Sequence, residues 1–372
     1  MNIPAFDLER YFAKYEFTAK YLLSCSDCQT MPVRELVGMA SETTRRLWDN
    51  LALGYTETMG HPLLRRAIAD LHKGLGPENT LVVVPEEGIF LLMNSLLKAG
   101  DHVVCISPAY QSLHEIARAM GCEVSDWVLD ETDAWAPNLD ALERLLRPET
   151  KLVVVNFPHN PTGSVPGPGF LTSLYALLEE RGIYLLSDEM YRFLEPGDAP
   201  VLVPACQEYS RAVTLGGLSK AFGLPGLRLG WLVTRDADLL HRMSRLKDYT
   251  TICHSAPSEV LGVMALENRE AIIARQKGLV WDNLKILDSF FRTHQDFFQC
   301  AVPKGGSMCF PRVTGVDSTL AFCEKLVEDT GIMVAPSAMF RFGDHHVRFG
   351  FGRRDFPRVL EILSHYISTH FK

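Results

Sequence analysis

The sequence predicts an α/β protein, with a mostly parallel central sheet covered by helices on both faces and a smaller α+β domain attached. Three observations carry this reading. Short runs that are apolar throughout recur from about residue 80 to 215, and helical stretches of roughly 10–15 residues separate them. A strand buried on both faces shows no in–out alternation, so bare apolar runs between helices mean parallel strands in a sandwiched sheet. Clusters of polar residues follow these runs directly, where a sheet of this kind binds its ligands.

In chain order, 62–72 reads as a helix and 81–84 (Leu-Val-Val-Val) as a buried strand. A helix over 89–98 ends at Gly100, a residue suited to the C-cap side. The strand 102–106 and a helix over 112–120 follow, then the strand 151–155, a helix over 170–180, and strands 183–186 and 212–215. A long helical stretch over 256–291 leads into the smaller domain, whose strands include 308–310 and 346–350. The expected division is 1–50 as an N-terminal arm and part of the small domain, 51–265 as the large domain and 266–372 as the small C-terminal domain. No internal repeat or low-complexity segment stands out.

The 372 residues carry 47% hydrophobic and 22% charged residues, an ordinary globular mix. A net charge of -8 speaks against nucleic acid or an anionic membrane as partner. No apolar run approaches the roughly 20 residues that span a bilayer, and the start lacks the basic and apolar regions of a secretory signal. The protein is therefore expected in the cytoplasm. Nine scattered cysteines fit reduced thiols better than a disulfide framework. Cys25 and Cys28 form a Cys-x-x-Cys pair without the second pair of a zinc ribbon, and His345 and His346, adjacent on a strand, point to opposite faces. No metal is expected.

The most informative stretch is Leu218-Ser219-Lys220-Ala221-Phe222-Gly223-Leu224-Pro225-Gly226-Leu227-Arg228. An amine on a tight turn can form a Schiff base with a cofactor aldehyde, while a guanidinium eight residues on forks onto the cofactor's phosphate. A surface lysine and arginine in a glycine-rich loop is the competing reading. Asp188 follows an apolar strand, so its carboxylate wants a partner, either a pyridinium nitrogen or the N–H groups of a helix it caps. Asn160 lies in Asn160-Pro161-Thr162-Gly163, a turn sequence whose amide is also a suitable donor. Tyr110 could stack on a ring or be an exposed turn aromatic. Arg348, in an apolar strand, requires a carboxylate, from the protein or from a substrate.

Together these segments resemble the fold-type-I pyridoxal-phosphate enzymes, and specifically the class I/II aminotransferases, over nearly the whole chain from about Tyr55. Asn160-Pro161-Thr162-Gly163, Asp188-x-x-Tyr191 and Ser219-Lys220 with Arg228 stand in that family's order. The resemblance implies the pyridoxal-phosphate transferase fold, pyridoxal 5'-phosphate as cofactor, and amino transfer between an amino acid and a 2-oxo acid. It assigns Lys220 to the Schiff base, Asp188 to the pyridinium, Tyr191 and Asn160 to the phenolate oxygen, Tyr110 to the ring face and Arg228 to the phosphate. Arg348, with Asn160, takes the substrate. Tyr55 matches a tyrosine that reaches a neighbouring subunit's phosphate, which implies a homodimer with shared sites.

Two positions depart from the family pattern. Gly217 stands where a phosphate-binding hydroxyl is usual, and the phosphate turn reads Val84-Pro85-Glu86-Glu87-Gly88 in place of small residues. The backbone N–H groups of Glu86 and Glu87, at a helix N-terminus, are then expected to hold the phosphate. The runs 247–259 and 188–192 are similar to a branch containing capreomycidine-synthase-like enzymes. On the same site a lyase or cyclase outcome is the alternative to amino transfer. A pyridoxal-phosphate-sensing regulatory module would need a basic DNA-binding segment ahead of the core, and about 50 residues without a basic cluster precede Tyr55.

Overall fold

The computed structural model describes residues 2–195, 197 and 199–371. Its centre is a seven-stranded sheet of β1 (Thr80–Val83), β2 (His102–Ser107), β3 (Glu123–Val128), β4 (Thr150–Asn156), β5 (Tyr184–Asp188), β6 (Ala212–Gly217) and β7 (Gly230–Thr234). The spatial order is β1-β7-β6-β5-β4-β2-β3. Only β7 runs antiparallel to its neighbours. Its first residue therefore lies at the same edge as the ends of the other six. That edge collects the residues after β1, β2, β4, β5 and β6, and those just before β7.

Every residue of β1, β5, β6 and β7 is buried. At roughly 1.5–3 kcal/mol for each buried Val or Leu, this burial outweighs strand propensities that span about 1 kcal/mol. Edge strand β3 instead leaves Glu123 and Val128 exposed, so it lacks the apolar run by which the other strands are recognised.

Helix boundaries differ from the expectation at two informative places. The helix expected from Ile89 begins at Pro85 and runs to Leu96. Proline suits the first helical position, where its missing N–H is not needed. Glu86 and Glu87 thus lie inside the first turn. The expected 256–291 helix is two, Ala256–Glu267 and Arg269–Thr293, divided at Asn268.

The N-terminal segment joins the C-terminal part of the chain. Tyr21–Leu22 pairs in parallel with Ile332–Met333. Residues 23–28 press against the strand Val347–Gly350, with Gly350 N–H donating to Leu23 O at 2.6 Å. A Cβ on Gly350 would fall 1.5 Å from the Cys25 carbonyl oxygen, so only glycine permits this approach. The helix Asp7–Tyr15 then lies over the ligand edge of the sheet. It is held there by Gln111, whose Oε1 accepts from Asp7 N–H at 2.9 Å and whose Nε2 donates to Ala5 O at 2.8 Å.

Candidate active site

A cavity of about 450 Å³ opens at this edge. It brings together Lys220, Asp188, Tyr191, Asn160, Tyr110, Arg228, Glu86, Ser219 and Arg348, nine of the residues singled out in the sequence. The Glu87 side chain and Tyr55 lie outside it.

Asp188 closes β5 and is fixed from three sides. Its carbonyl accepts from Asn156 Nδ2 at 2.9 Å and Phe157 N–H at 3.1 Å, and its Oδ1 accepts from Met190 N–H at 3.1 Å. Burial pushes its carboxyl up to about 7, and Glu86 adds to this against the pull of Met190 N–H and Lys220. Asn156 also accepts from Asn160 N–H at 2.7 Å, which places the Asn160 amide beside Asp188.

Lys220 follows β6 on a turn closed by Gly223 N–H donating to its carbonyl at 3.0 Å. Its Nζ donates to Ser26 Oγ at 2.9 Å and lies 5.5 Å from the Tyr191 ring centre. Burial draws its pKa down, but Tyr191 and Asp27 outweigh it and hold the amine above the usual lysine range. Gly217 is closely packed, since a Cβ there would stand 3.0 Å from the Met190 sulfur and 3.2 Å from Leu229 O, so that a side chain would require a neighbour to give way. Met190 occupies the space in which the usual hydroxyl would sit.

Arg348 is 2% exposed and lies between the rings of Phe12 and Phe340, 5.8 and 5.2 Å from their centres. It donates to Ser24 O from Nε and Nη2 at 3.2 and 2.8 Å, and to Asn160 Oδ1 from Nη1 at 3.1 Å. Among the described residues no carboxylate pairs with it within 4.0 Å. Burial accordingly pulls its pKa below the usual range. Of the two partners left open by the sequence, the protein does not supply one. Arg353, by contrast, is paired with Asp27 through two contacts of 2.9 Å.

At the other end of the cavity, Arg228 is exposed and its Nη1 bonds only Pro225 O, at 3.2 Å. Near it the first turn of Pro85–Leu96 offers the N–H groups of Glu86 and Glu87, which a helix leaves without internal partners. A free guanidinium, helix N-terminal donors, a lysine and a buried carboxylate together fit a phosphorylated pyridine aldehyde. The Glu87 side chain is turned away and accepts from Thr250 and Thr251, which removes the repulsion that a glutamate beside a phosphate would cause. Glu86 does line the cavity, and burial pushes its carboxyl up to about 7.

Sequence reasoning missed Glu9, Phe12, Glu16, Ser26 and Asp27. Tyr110 Oη donates to Glu9 Oε1 at 2.5 Å. Glu16 lines the cavity and makes no salt bridge among the described residues. Burial, together with Glu9 and Asp27, raises its pKa. The only local signal was the amphipathic spacing of Leu8, Tyr11, Phe12 and Tyr15, which places a helix face on something without naming what it covers. Tyr55 is 91% exposed and lines a surface groove with Leu53, Thr251 and Cys253, while Tyr249 and Ile252 are also exposed.

The profile of the family described as aminotransferase class I and II matches residues 20–356. The capreomycidine synthase of Streptomyces vinaceus is 33% identical over 374 residues, 99% of this chain and 95% of that one. An aspartate aminotransferase of Pyrococcus horikoshii is 27% identical over 83% of this chain and 81% of its own. Among solved structures, a PLP-dependent aminotransferase from Streptococcus suis is 28% identical, covers 100% of both chains and has a TM-score of 0.93. The PLP-dependent cyclase OrfR is also 28% identical, with a TM-score of 0.91 over 99% of this chain and 98% of its own. The fold is thus that of the pyridoxal-phosphate transferases, and pyridoxal phosphate is the cofactor that the cavity is built for. This chain belongs to the class I and II aminotransferase family.

Proposed function

We propose that this protein is a pyridoxal-phosphate enzyme that removes the Cα proton of an amino acid bearing a cationic side chain. The charge inventory of the cavity carries this reading. Arg228 and the helix N–H groups answer the phosphate, Asp188 answers the pyridinium, and Arg348 answers the substrate's α-carboxylate. Asp27 is already paired with Arg353. Glu86, on the turn facing the phosphate, is pushed by burial to about 7, so Glu9 and Glu16, on the covering N-terminal helix and just past its end, are the cavity carboxylates left without a salt bridge among the described residues. A guanidinium or ammonium on the substrate side chain supplies the missing charge.

When bound, the cofactor provides an electron sink for the charge that develops at Cα. The chain's own groups do the rest. Arg348 and Asn160 orient the carboxylate, and Lys220 Nζ takes and returns the Cα proton. The helix Asp7–Tyr15 excludes water from above. For the outcome we favour a lyase or cyclase reaction, supported by 33% identity to capreomycidine synthase over 99% of the chain. Amino transfer to a 2-oxo acid is the second reading, supported by the family and by the aminotransferases of similar structure. Incubation of holoenzyme with basic, acidic and neutral amino acids separates them. With a substrate that carries a β-hydroxyl as leaving group, a ring product at substrate mass less water supports cyclisation, a keto acid with free ammonia supports elimination, and a keto acid with aminated cofactor and no free ammonia supports transfer. Glu9→Gln with Glu16→Gln should lower kcat/KM about 10²-fold for basic substrates and leave neutral ones nearly unchanged. Equal losses for both classes would overturn the substrate assignment.

A pH signature follows from Asp188 and Glu86, both raised to about 7. Their unfolded values are about 3.9 and 4.3. The stability they contribute is present below those values and lost as pH rises toward 7. A protonated cofactor nitrogen facing Asp188 opposes that loss. The rise in Tm on adding pyridoxal phosphate should therefore grow from about pH 5 to about pH 8. A rise independent of pH would contradict the pairing.

We also read the protein as a homodimer in the cytoplasm. The exposed apolar residues Leu53, Tyr55, Tyr249 and Ile252 are the candidates for contact with a second copy. Nine free thiols suit a reducing compartment.

A further inference from the structure

The acceptor that Lys220 Nζ finds among the described residues does not come from the large domain. It is Ser26 Oγ, at 2.9 Å and 194 residues away in the chain. The contact is made by the amine free of any covalent bond, which is the form in which it can carry a proton.

Ser26 is held from several sides. It is 8% exposed, and its carbonyl accepts from the fully buried Ser307 Oγ at 2.6 Å. Before it, the Cys25 carbonyl is pressed onto Gly350, where only a glycine fits. After it, the Asp27 carbonyl would stand 2.7 Å from a Cβ on Gly352, and the Asp27 carboxylate pairs with Arg353. A hydroxyl fixed in this way is in position before any charge develops beside it. Two residues earlier, Ser24 O accepts from Arg348 Nε and Nη2. One short piece of backbone therefore touches both the guanidinium assigned to the carboxylate and the amine assigned to the Cα proton.

The amine needs such a partner. With one N–H on Ser26 Oγ, the lone pair of the neutral amine is left to face the cavity. When Nζ takes the Cα proton it becomes an ammonium, which has donors and no acceptor. A hydrogen bond from a charged donor is roughly twice as strong as one between neutral groups. Ser26 Oγ thus interacts more strongly with the amine after proton transfer than before it, which is what acceleration of that step requires.

We propose that Ser26 is a further catalytic residue, whose hydroxyl accepts from Lys220 Nζ, aims the amine at the substrate Cα and steadies the ammonium formed by proton transfer. Ser26 itself neither gains nor loses a proton. The proton leaves Cα for Nζ and returns from it. The inference rests on the assignment of Lys220 given above.

Wild type is compared with Ser26→Ala, Ser26→Cys and Ser26→Thr in two measurements. The first, on protein free of cofactor, is the pH dependence of Lys220 acetylation by acetic anhydride, read by mass spectrometry. Loss of a hydrogen bond to the charged amine should lower the midpoint by about one to two pH units in Ser26→Ala and Ser26→Cys. Ser26→Thr keeps the hydroxyl and should restore it. Tyr191, Asp27, Arg348 and Cys25 act on the charge of this amine, and Asp188, Glu86, Glu16 and Cys28 feel it. All eight are the same in the four proteins. The second measurement, on holoenzyme, is the rate at which the fastest-reacting amino acid of the panel above exchanges its Cα proton with heavy water. Its maximum should fall about 10- to 100-fold in the alanine and cysteine variants, with the half-saturating concentration little changed. Ser26→Cys nearly keeps the side-chain volume and carries the test if the alanine variant fails to fold. An unmoved midpoint, or full exchange in Ser26→Cys, overturns the role of Ser26 while a normal visible band leaves the Lys220 assignment intact. Wild type that forms no visible band with pyridoxal phosphate overturns both.

Discussion

Lys220→Ala should lower turnover about 10⁴-fold, the upper end of what acid–base groups contribute, as its proposed roles of covalent anchor for the cofactor and proton carrier require. Its contribution to folding is small. Nζ makes one hydrogen bond, to Ser26 Oγ, and no salt bridge among the described residues. Tyr191 and Asp27 offset the cost of burying its ammonium, so little net energy is lost or gained with it. The Tm of the variant should therefore stay within a few degrees of wild type, about the effect of 1 kcal/mol or less. Cofactor should still bind, now released by dialysis, because Arg228, Asp188 and the helix N–H groups are untouched. Lys220→Arg keeps the charge without a usable amine and should be as inactive as alanine. Measured kcat within tenfold of wild type for either variant would refute the assignment of Lys220.

Much of this was legible in the sequence, and the parts that were not share a physical cause. The strands 81–84, 102–106, 151–155, 183–186 and 212–215 announce themselves because both faces are buried. Strand β3 does not, since an edge strand buries little of itself, and β7 (Gly230-Trp231-Leu232-Val233-Thr234) follows the glycine-rich turn directly, with no α-helix before it and nothing local to state its direction. Lys220, Asp188 and Asn160 were legible because each sits in a motif whose turn or strand end is local. Arg348 was legible by the cost of a charge in an apolar strand. Glu9, Glu16 and Asp27 were not. They enter the cavity only through contacts made far along the chain, Gln111 with Asp7 and Ala5, and Gly350 with Leu23. The charge inventory that points to a substrate class thus exists only after the N-terminal segment folds back.

Arg348→Met should move activity and stability in opposite directions, and that opposition identifies the role. Breaking a buried, hydrogen-bonded charge pair costs roughly 2–5 kcal/mol. At about 1.4 kcal/mol per decade, kcat/KM for a carboxylate substrate should fall roughly 30- to 4,000-fold. An amine analogue without the α-carboxylate should lose far less. In the free protein, however, the guanidinium has only neutral acceptors, Ser24 O and Asn160 Oδ1, and lies between Phe12 and Phe340. A buried charge without a counter-ion is costly, and an apolar side chain of similar length in that slot is neutral or stabilising. The Tm of the free protein should therefore hold or rise. A structural arginine would give the reverse pattern, with a lower Tm and equal losses for substrate and carboxylate-free analogue. A Tm that holds or rises beside the selective loss of activity would bear out the proposed role of Arg348, a guanidinium in an apolar strand that no carboxylate pairs among the described residues and whose partner would arrive with the substrate.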